Sequence, residues 1–313
     1  MINRRNFLTH AGAVSLAGIG ATLSSIKDVQ AADFKALVVV FLSGGHDGNN
    51  LLVPMDAAYN DYAKARPSLA LPKDSLVALP GSYIGHQFGL SPATRALVDL
   101  FSQKRLAVIA NAGALVQPTT MAQFKSGTAK LPPFLGSHAE QMQWIQGWMG
   151  DEDPSGWAGR AIEAMNANAS LKAPLLAVNT SSNTAVLGQK SRVINANTRN
   201  TSRMGLADLT NSNDQWTQII ESMTRLQSNT SVEAEFARTF RGAFLDSREL
   251  AFAQKAANEP AGTFADNDIA QRLRYIAQTM PYYKTIGSSR QIYYTQWGTF
   301  DTHANQRYTG VVT

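Results

Sequence analysis

The chain of 313 residues contains no cysteine, and this absence excludes several kinds of site at once. There are no disulfides, no thiolate metal sites, no iron–sulfur clusters, no haem attachment through cysteine and no lipidated N-terminal cysteine. Charged residues are also scarce, at 16 % against about 25 % in an average soluble protein. The net charge of +5 includes no long run of lysine or arginine, so the basic balance does not indicate nucleic-acid binding.

Hydrophobic residues are abundant, at 44 % of the chain, which is enough for a sizeable core. The first thirty-one residues, however, have the three-part layout of an export signal. Arg4 and Arg5 precede Phe-Leu, an apolar but glycine-rich stretch covers residues 11–26, and a small-x-small cleavage pattern ends at Ala31. Adjacent arginines in this position are typical of twin-arginine signals, whose route carries proteins that have already folded.

A short membrane anchor after a chance Arg-Arg pair is the alternative to that signal. The apolar stretch is about 16 residues long, below the roughly 20 that a spanning helix needs. We therefore expect residues 1–31 to be a cleaved twin-arginine signal and the twin-arginine export machinery to be a partner. Residues 32–313 are then expected to form one exported domain, periplasmic or extracellular, with no membrane span after cleavage.

Four apolar runs predict β-strands in the mature chain. They cover residues 34–42, 106–111, 175–179 and 291–296. The first run is continuous and rich in β-branched residues, which is typical of a strand buried on both faces. Helices are predicted between and after these runs, at about residues 91–103, 155–167, 214–228, 231–257 and 267–280. The alternation predicts an α/β sandwich around a largely parallel sheet.

Two further sequence features indicate where the last helix ends and where the chain leaves the regular structure. Pro281 is expected to stop the last helix, because proline cannot continue a helix without losing a hydrogen bond. Residues 179–213 are crowded with Asn, Ser, Thr and Arg and show weak periodicity. We interpret them as a surface excursion and not as a domain boundary.

The first strand leads into residues 44–50, Gly-Gly-His-Asp-Gly-Asn-Asn, which we call the first loop. In open α/β sheets, ligands bind at the carboxyl ends of the strands. Glycines let the backbone approach a ligand closely, while His46, Asp47 and Asn50 offer nitrogen and oxygen ligands. The same residue types also build plain turns, and that alternative stays open. The loop is not a phosphate-binding P-loop, since the Gly-Lys-Ser/Thr ending is absent.

The fourth strand leads into residues 297–306, Trp-Gly-Thr-Phe-Asp-Thr-His-Ala-Asn-Gln, which we call the second loop. Asp301 and His303 can present a carboxylate and an imidazole to one ion, a mixture that suits zinc and other borderline divalent metals. The alternative is an aspartate that accepts backbone amides beside a surface histidine. The position at a second carboxyl edge favours the metal interpretation.

A third cluster contains Ser137 and His138, and it is followed by three tryptophans and Arg160. Ser137 and His138 are adjacent in sequence and therefore poorly placed to act as nucleophile and base on each other. The Gly-x-Ser-x-Gly elbow of a hydrolase triad is also absent. A helix cap, a surface histidine and packed tryptophans are the plain interpretation. The alternative is that His138 and Arg160 contact an anionic substrate.

Five blocks of this sequence resemble, in order, the twin-arginine-exported bacterial proteins grouped as the domain of unknown function 1501 family. The blocks are residues 41–54, 111–120, 131–138, 156–160 and 298–306. That family is similar in fold to the alkaline phosphatase and sulfatase superfamily. The resemblance implies an α/β/α sandwich with metal ions at the carboxyl edge of the sheet. It also implies that Asp47, Asp301 and His303 are metal ligands, for zinc, manganese or calcium, and that their side chains converge.

Two departures from this pattern affect the expected activity. Phosphatase-type enzymes of the superfamily use a Ser or Thr nucleophile beside the first acid, whereas residues 44–54 contain no hydroxyl side chain. Family members also continue beyond the second loop into further motifs that supply ligands, whereas this chain stops at Thr313. The resemblance therefore implies a C-terminally incomplete member that binds metal weakly.

Two functions of different classes follow. The first is a metal-dependent hydrolase of phosphate or sulfate esters, acting on an anionic small molecule or polymer, with His46, Asn50, His138 and Arg160 as substrate-binding residues. The second is a non-catalytic exported protein that keeps the fold for binding or assembly. The metal content of the purified protein discriminates between them.

Overall fold

The computed structural model describes residues 34–132, 135, 137–147, 155–166, 176–180, 185–188, 193–196, 209–223, 225, 230–285, 288–298, 300–304 and 306. The β-strands within these ranges are β1 Lys35–Ser43, β2 Leu52–Pro54, β3 Val77–Ala78, β4 Phe88–Leu90, β5 Leu176–Asn179, β6 Val193–Asn195 and β7 Arg290–Gly298. The α-helices are α1 Gly48–Leu51, α2 Tyr59–Ala65, α3 Ala96–Ser102, α4 Met121–Lys125, α5 His138–Ile145, α6 Trp157–Asn166, α7 Gln215–Met223, α8 Ser231–Lys255 and α9 Asp268–Thr285.

The chain forms two compact units, each built from two separate pieces of sequence. Unit 1 consists of Met1–Phe41 and Ala139–Gln296, and unit 2 consists of Leu42–His138 and Trp297–Thr313. The strands β1 and β7 both begin in unit 1 and end in unit 2. The polar loops that follow these two strands therefore both belong to unit 2.

A four-stranded sheet has the order β1-β7-β5-β6. β5 pairs in parallel with β6 and with β7, so that Val178 lies opposite Ile194 and Tyr293. At the start of β1, the amide of Lys35 donates a hydrogen bond to the carbonyl of Ser289, at 3.0 Å. The prediction of a mixed α/β chain with a parallel sheet is confirmed, with residues 34–42, 175–179 and 291–296 at or beside three of the observed strands.

Side chains of β7 alternate between the two faces of this sheet, as the pleat of a strand requires. Ile292 and Tyr294 pack with Ala158 and Ile162 of α6. Tyr293 points to the other face, into a cluster with residues of β6, of the position directly after it, and of α8 and α9: Ile194, Ala196, Leu250, Ala253, Tyr275, Ile276 and Tyr283. Helices thus cover both faces of the sheet in unit 1.

β1 differs from the expectation that it is buried on both faces. It is the edge strand of the sheet, with only β7 beside it among the described strands. Leu37, Val38 and Val40 are each about 40 % exposed. The apolar run specifies an extended conformation, but burial depends on neighbours that sequence periodicity does not reveal.

Unit 2 contains a small antiparallel sheet with the order β2-β4-β3. Leu52 lies opposite Leu90, and Val77 lies opposite Leu90 on its other side. Val53 and Leu90 are almost completely buried, together with Leu76 and Leu79. These residues give unit 2 a compact apolar centre immediately after the first loop.

The strand predicted at residues 106–111 is wrong. This segment has no strand in the structure, and Ile109 is 83 % exposed. Lys104 just before it and Asn111 at its end have left-handed backbones, with φ 58° and 56°. A left-handed residue ends an extended run, so the β-branched composition of this stretch does not produce a strand.

A helix overlaps each of the five predicted ranges, but two of them differ from the prediction. Pro92–Thr94 form a 3-10 turn ahead of α3, and the helix described within residues 214–228 is Gln215–Met223.

The expected stop at Pro281 is wrong. Helix α9 continues through Pro281 to Thr285. A proline inside a helix costs about 3 kcal/mol, and this cost is offset here by the packing of the following turn. Tyr283 is completely buried in the cluster that contains Tyr275 and Tyr293.

The interpretation of residues 179–213 as a surface excursion is wrong for the part that the structure describes. Strand β6 lies within this segment, and Ala185, Val186, Ile194 and Leu209 are buried. The rest of the segment and the N-terminal segment 1–33 lie outside the described residues. None of the helices in the described ranges combines the length and apolarity that crossing a bilayer requires.

Candidate metal centre

The ends of β1 and β7 place the first and second loops side by side within unit 2. The amide of Phe300 donates a hydrogen bond to the carbonyl of Ser43, at 3.2 Å. The imidazole of His46 meets the ring of Phe300 edge to face, with 5.6 Å between centroids. The prediction that both loops emerge at the same edge is confirmed.

Two glycines make this close approach possible. A Cβ atom on Gly298, whose φ is +150°, would lie 2.2 Å from the carbonyl oxygen of Ser43. A Cβ atom on Gly44, whose φ is +92°, would lie 3.0 Å from the backbone nitrogens of Phe300 and Asp301. Side chains at these positions would push the two loops apart, and glycine avoids both the contact and the backbone strain.

Asp301 of the second loop is the centre of a three-residue cluster. Its Oδ2 atom lies 2.7 Å from Nε2 of His138 and 2.7 Å from Nε2 of His303. His138 is the first residue of α5. The side chains are 28 % exposed for Asp301, 60 % for His138 and 84 % for His303. The cluster is therefore open to solvent on the side of the two imidazoles.

Two contacts lower the pKa of Asp301 in the second loop, and His303 in the same loop has an unusual backbone conformation. The hydrogen bond from His138 lowers the pKa of Asp301 most, and the amide of His303 lowers it further by donating to Oδ1 at 3.3 Å. His303 has a left-handed backbone, with φ 51°. A non-glycine residue in that region is uncommon, and the conformation costs energy.

The cluster of His138, Asp301 and His303 could hold a divalent metal ion. His138, Asp301 and His303 each offer one ligand atom, and these atoms lie within 4.8 Å of one another. Ligand atoms at about 2.0–2.1 Å from a tetrahedral zinc ion are about 3.3 Å apart. The observed 2.7 Å separations would therefore widen by only about 0.6 Å around an ion. Two imidazoles and a carboxylate are ligands that zinc accepts.

Asp47, the third metal ligand expected from sequence, has other partners in the structure. Its Oδ2 atom accepts hydrogen bonds from the guanidinium of Arg66 and from Nε2 of Gln306, the latter at 3.1 Å. The group of possible metal ligands found among the described residues contains His138 in its place. The expected convergence of the carboxylates of Asp47 and Asp301 stays a prediction.

Asn50, predicted to bind substrate, is 6 % exposed, and its side chain is hydrogen-bonded to other residues of unit 2. Its Nδ2 donates to the carbonyl of Leu69 at 3.0 Å, and its Oδ1 accepts from the hydroxyl of Tyr62 at 2.6 Å. That hydroxyl in turn accepts from the amide of Leu71, at 2.8 Å. Both ends of the Asn50 amide are thus used inside the protein.

Arg160, also predicted to bind substrate, lies in α6 of unit 1. Its guanidinium donates to the carbonyl of Ser155 and, at 3.4 Å, to the carbonyls of Gln146 and Gly147. These bonds join the end of α5 to the start of α6. Binding of a substrate anion by Arg160 stays a prediction.

Sequence reasoning did not find the role of His138 as a neighbour of Asp301. The two residues are 163 positions apart, and the adjacent Ser137 gave His138 the appearance of a helix-start residue. The contact of Arg66 with Asp47 was not predicted either, because Arg66 lies outside all five motif blocks. Comparison of the chain with protein-family models, with curated proteins and with solved structures found no match.

Proposed function

We propose that this chain is a metal-dependent hydrolase of phosphate or sulfate esters with its centre at His138, Asp301 and His303. The observation that carries the proposal is the convergence of two imidazoles and one carboxylate on a solvent-open position. Three protein ligands with one open side are typical of catalytic zinc sites, whereas structural sites are closed by four.

His138, Asp301 and His303 would each supply one ligand atom to the ion. A bound divalent ion would polarise the ester oxygen and stabilise the charge that develops on it. His138 and His303 would hold the ion through Nε2, and Asp301 would hold it through Oδ2. Residues 44–54 carry no hydroxyl side chain, and solvent water would therefore be the attacking group. The exposed side of the two imidazoles is where an anionic ester would enter.

We also propose that the chain has an alkaline-phosphatase-like fold and that it is exported. Helices on both faces of a parallel sheet, and a metal-ligand cluster after its strands, fit an alkaline-phosphatase-like α/β/α sandwich. The resemblance of the five motif blocks to the domain of unknown function 1501 family points the same way. The Arg4-Arg5 signal pattern supports export to the periplasm or the cell exterior.

Metal titration of single variants tests the centre. We expect weak but measurable binding of zinc or manganese by calorimetry, and at least a tenfold loss in Asp301→Ala or His138→Ala. His86→Ala is the matched control, because His86 is also a half-exposed histidine of unit 2 beside an aspartate. Equal affinity in wild type and Asp301→Ala would show that Asp301 is a structural turn residue. Hydrolysis of p-nitrophenyl phosphate and p-nitrophenyl sulfate then separates the two ester classes.

A non-catalytic binding or assembly protein is the second candidate, and exposed apolar residues favour it. Val232 and Phe236, in the first turns of α8, are 79 % and 70 % exposed. Large apolar side chains in the open are typical of surfaces that contact a partner. A folded protein that binds neither zinc nor manganese would support this candidate against the hydrolase.

A further inference from the structure

Residues 104–130 of unit 2, which we call the basic-apolar segment, carry positive charge only. Lys104 and Arg105 stand at its start, Lys125 and Lys130 stand at its end, and no acidic residue occurs between positions 99 and 140. All four cations are exposed, and none of them takes part in the ion pairs found among the described residues. Their charge is therefore available to an anionic partner.

Large apolar side chains of the same segment lie in the open. Ile109, Leu115, Val116, Met121 and Phe124 are between 44 % and 83 % exposed. Residues 106–124, which separate the two pairs of cations, contain no charged side chain. Single exposed apolar residues are ordinary on a protein surface, but a group of them in one short segment is typical of a surface that contacts a partner or a membrane.

Helix α4 holds part of this group in a defined arrangement. A capping box closes its start, in which Oγ1 of Thr120 accepts from the amide of Gln123 at 3.2 Å and Oε1 of Gln123 accepts from the amide of Thr120 at 2.9 Å. Met121 and Phe124 are three residues apart and Lys125 is four residues after Met121, so the three side chains lie on one side of the helix. That side presents two apolar side chains and a cation to solvent.

A neighbouring turn adds one more apolar side chain. Ile84 is 96 % exposed and lies in the turn between Tyr83 and His86, whose backbones exchange hydrogen bonds at 2.8 and 3.0 Å. The ring of Tyr83 meets the ring of Phe101 in α3 edge to face, with 5.4 Å between centroids. Because α3 ends at Ser102, this contact places the turn beside the start of the basic-apolar segment.

We propose that the basic-apolar segment binds the surface of a membrane that contains anionic lipids. Lysine and arginine side chains near a bilayer are attracted to anionic lipid headgroups. Exposed apolar side chains such as Ile109, Met121 and Phe124 enter the boundary between headgroups and acyl chains. The segment lies on the membrane and does not cross it, since α4 has only five residues and a spanning helix needs about 20.

The composition of the segment favours lipid over the other partners that a basic surface could have. A nucleic acid is bound mainly through its phosphates, and such binding makes no use of exposed aliphatic side chains. Lysine is depleted at interfaces between proteins, whereas three of the four cations here are lysines. A bilayer with anionic headgroups accepts both the charge and the apolar side chains.

Flotation of the full chain with lipid vesicles tests the charge. We expect binding to vesicles of phosphatidylglycerol and phosphatidylcholine to be at least tenfold stronger than binding to phosphatidylcholine alone, and to weaken as salt is added. Lys125→Gln/Lys130→Gln is expected to lose at least tenfold. The matched control is Lys64→Gln/Lys73→Gln, at two exposed lysines of the same unit, which we expect to bind as wild type does. Residues 1–31 are identical in all these chains, so the differences belong to the substituted lysines.

A fluorescent label tests the apolar contact. Because the chain contains no cysteine, Phe124→Cys provides a single site for an environment-sensitive probe. We expect the emission of this probe to shift to the blue when phosphatidylglycerol vesicles are added. Phe236→Cys is the matched control, since Phe236 is also an exposed phenylalanine in a helix but has Glu233 and Glu235 close to it in sequence. No shift is expected there.

Three results would overturn the proposal. The first is equal binding to the two kinds of vesicle, and the second is equal binding by the two double-lysine variants. The third is dimerisation without lipid that Met121→Ser/Phe124→Ser abolishes, because the apolar side chains would then contact a second copy of the chain. All substituted side chains are exposed, and circular dichroism verifies that each variant is folded. Vesicle binding requires no metal ion, so the result is independent of the metal centre.

Discussion

His303 holds a left-handed backbone at φ 51°, and this single residue links the stability of the second loop to its chemistry. A non-glycine residue in that region costs about 1–2 kcal/mol. We expect His303→Gly to raise the free energy of unfolding of the metal-free protein by about 1 kcal/mol, while lowering zinc affinity at least tenfold. Urea unfolding and calorimetry measure the two effects.

His303→Ala is the comparison that isolates the backbone contribution. It also removes the imidazole, but it keeps a Cβ atom and therefore the strain. We expect it to lose zinc affinity as His303→Gly does and to gain no stability. If the two variants were equally stable, the left-handed conformation of residue 303 would carry no cost.

Asp56, in unit 2, is expected to make the stability of the protein depend on pH. Its Oδ1 atom accepts from the amide of Ala58 at 2.9 Å, and its Oδ2 atom lies 2.9 Å from Nδ1 of His86. The bond from Ala58 lowers the pKa of Asp56 below 3.8 most, and the bond from His86 lowers it further. A carboxylate whose pKa is lower in the folded state stabilises the fold above its unfolded pKa, and this stabilisation is lost as the pH falls through the folded value.

We therefore expect Asp56→Asn to be less stable than wild type between pH 5 and 7, with the difference disappearing as the pH falls below about 3.8. Urea unfolding at a series of pH values measures this difference. Asp74→Asn, at an exposed carboxylate of the same unit, controls for the loss of one negative charge. A difference that stayed constant down to pH 3 would assign the effect to packing and not to the charge of Asp56.

The sequence predicted which kinds of residue form the site better than it predicted which residues contact one another. Asp301 and His303 were predicted as neighbours at a strand end, and their local spacing of two residues made this possible. His138 joins them from 163 residues away, and Arg66 reaches Asp47 from a helix end. Contacts of this kind depend on the tertiary fold, which periodicity and spacing within a short window do not contain.

At the scale of elements, helix α8 offers a matched pair of phenylalanines. Phe244 is completely buried, whereas Phe236, two turns earlier, is 70 % exposed and stacks on Phe240. We expect Phe244→Ala to lower the free energy of unfolding by about 3–5 kcal/mol and Phe236→Ala to lower it by less than about 1 kcal/mol. Urea unfolding of both variants measures this. Similar losses would mean that the first turns of α8 are covered in solution.

Strands and helices were predicted correctly where the local conformational preference of the residues agreed with the burial of their side chains. β7 is the clearest case, since its apolar and tyrosine side chains pack on both faces of the sheet. Residues 106–111 are also an apolar run with β-branched residues, but they end in a left-handed asparagine and form no strand. Pro281 is the opposite case, because the packing of Tyr283 continues a helix that local preference would end.

At the scale of the whole molecule, the two-unit arrangement was not predictable from composition. Two of the boundaries fall within the strands β1 and β7, and the third falls at the start of α5. A strand is not the exposed linker at which domains usually divide. A sequence signal for domains depends on such linkers. Strands that pass from one unit to the other give no such signal.

Export is a prediction for the whole chain. We expect replacement of Arg4 and Arg5 by lysine to block export and to leave uncleaved precursor inside the cell, because twin-arginine signals depend on the adjacent arginines. Cell fractionation and immunoblotting measure this. The comparison is a chain with Lys27 replaced by arginine, which changes a basic residue outside the pair. Normal secretion of the double-lysine variant would contradict the assignment.

The division of unit 2 into two pieces also sets an order of events during translation. Of the two pieces of unit 2, Leu42–His138 leaves the ribosome first. The whole of Ala139–Gln296 is then synthesised before Asp301 and His303 follow. At about 5–20 residues per second, this delay lasts roughly 10–30 s. During that time the nascent chain carries the first loop, Arg66 and His138 but not the carboxylate that His138 meets. The cluster of His138, Asp301 and His303 can therefore form only after residues 139–296 have been synthesised.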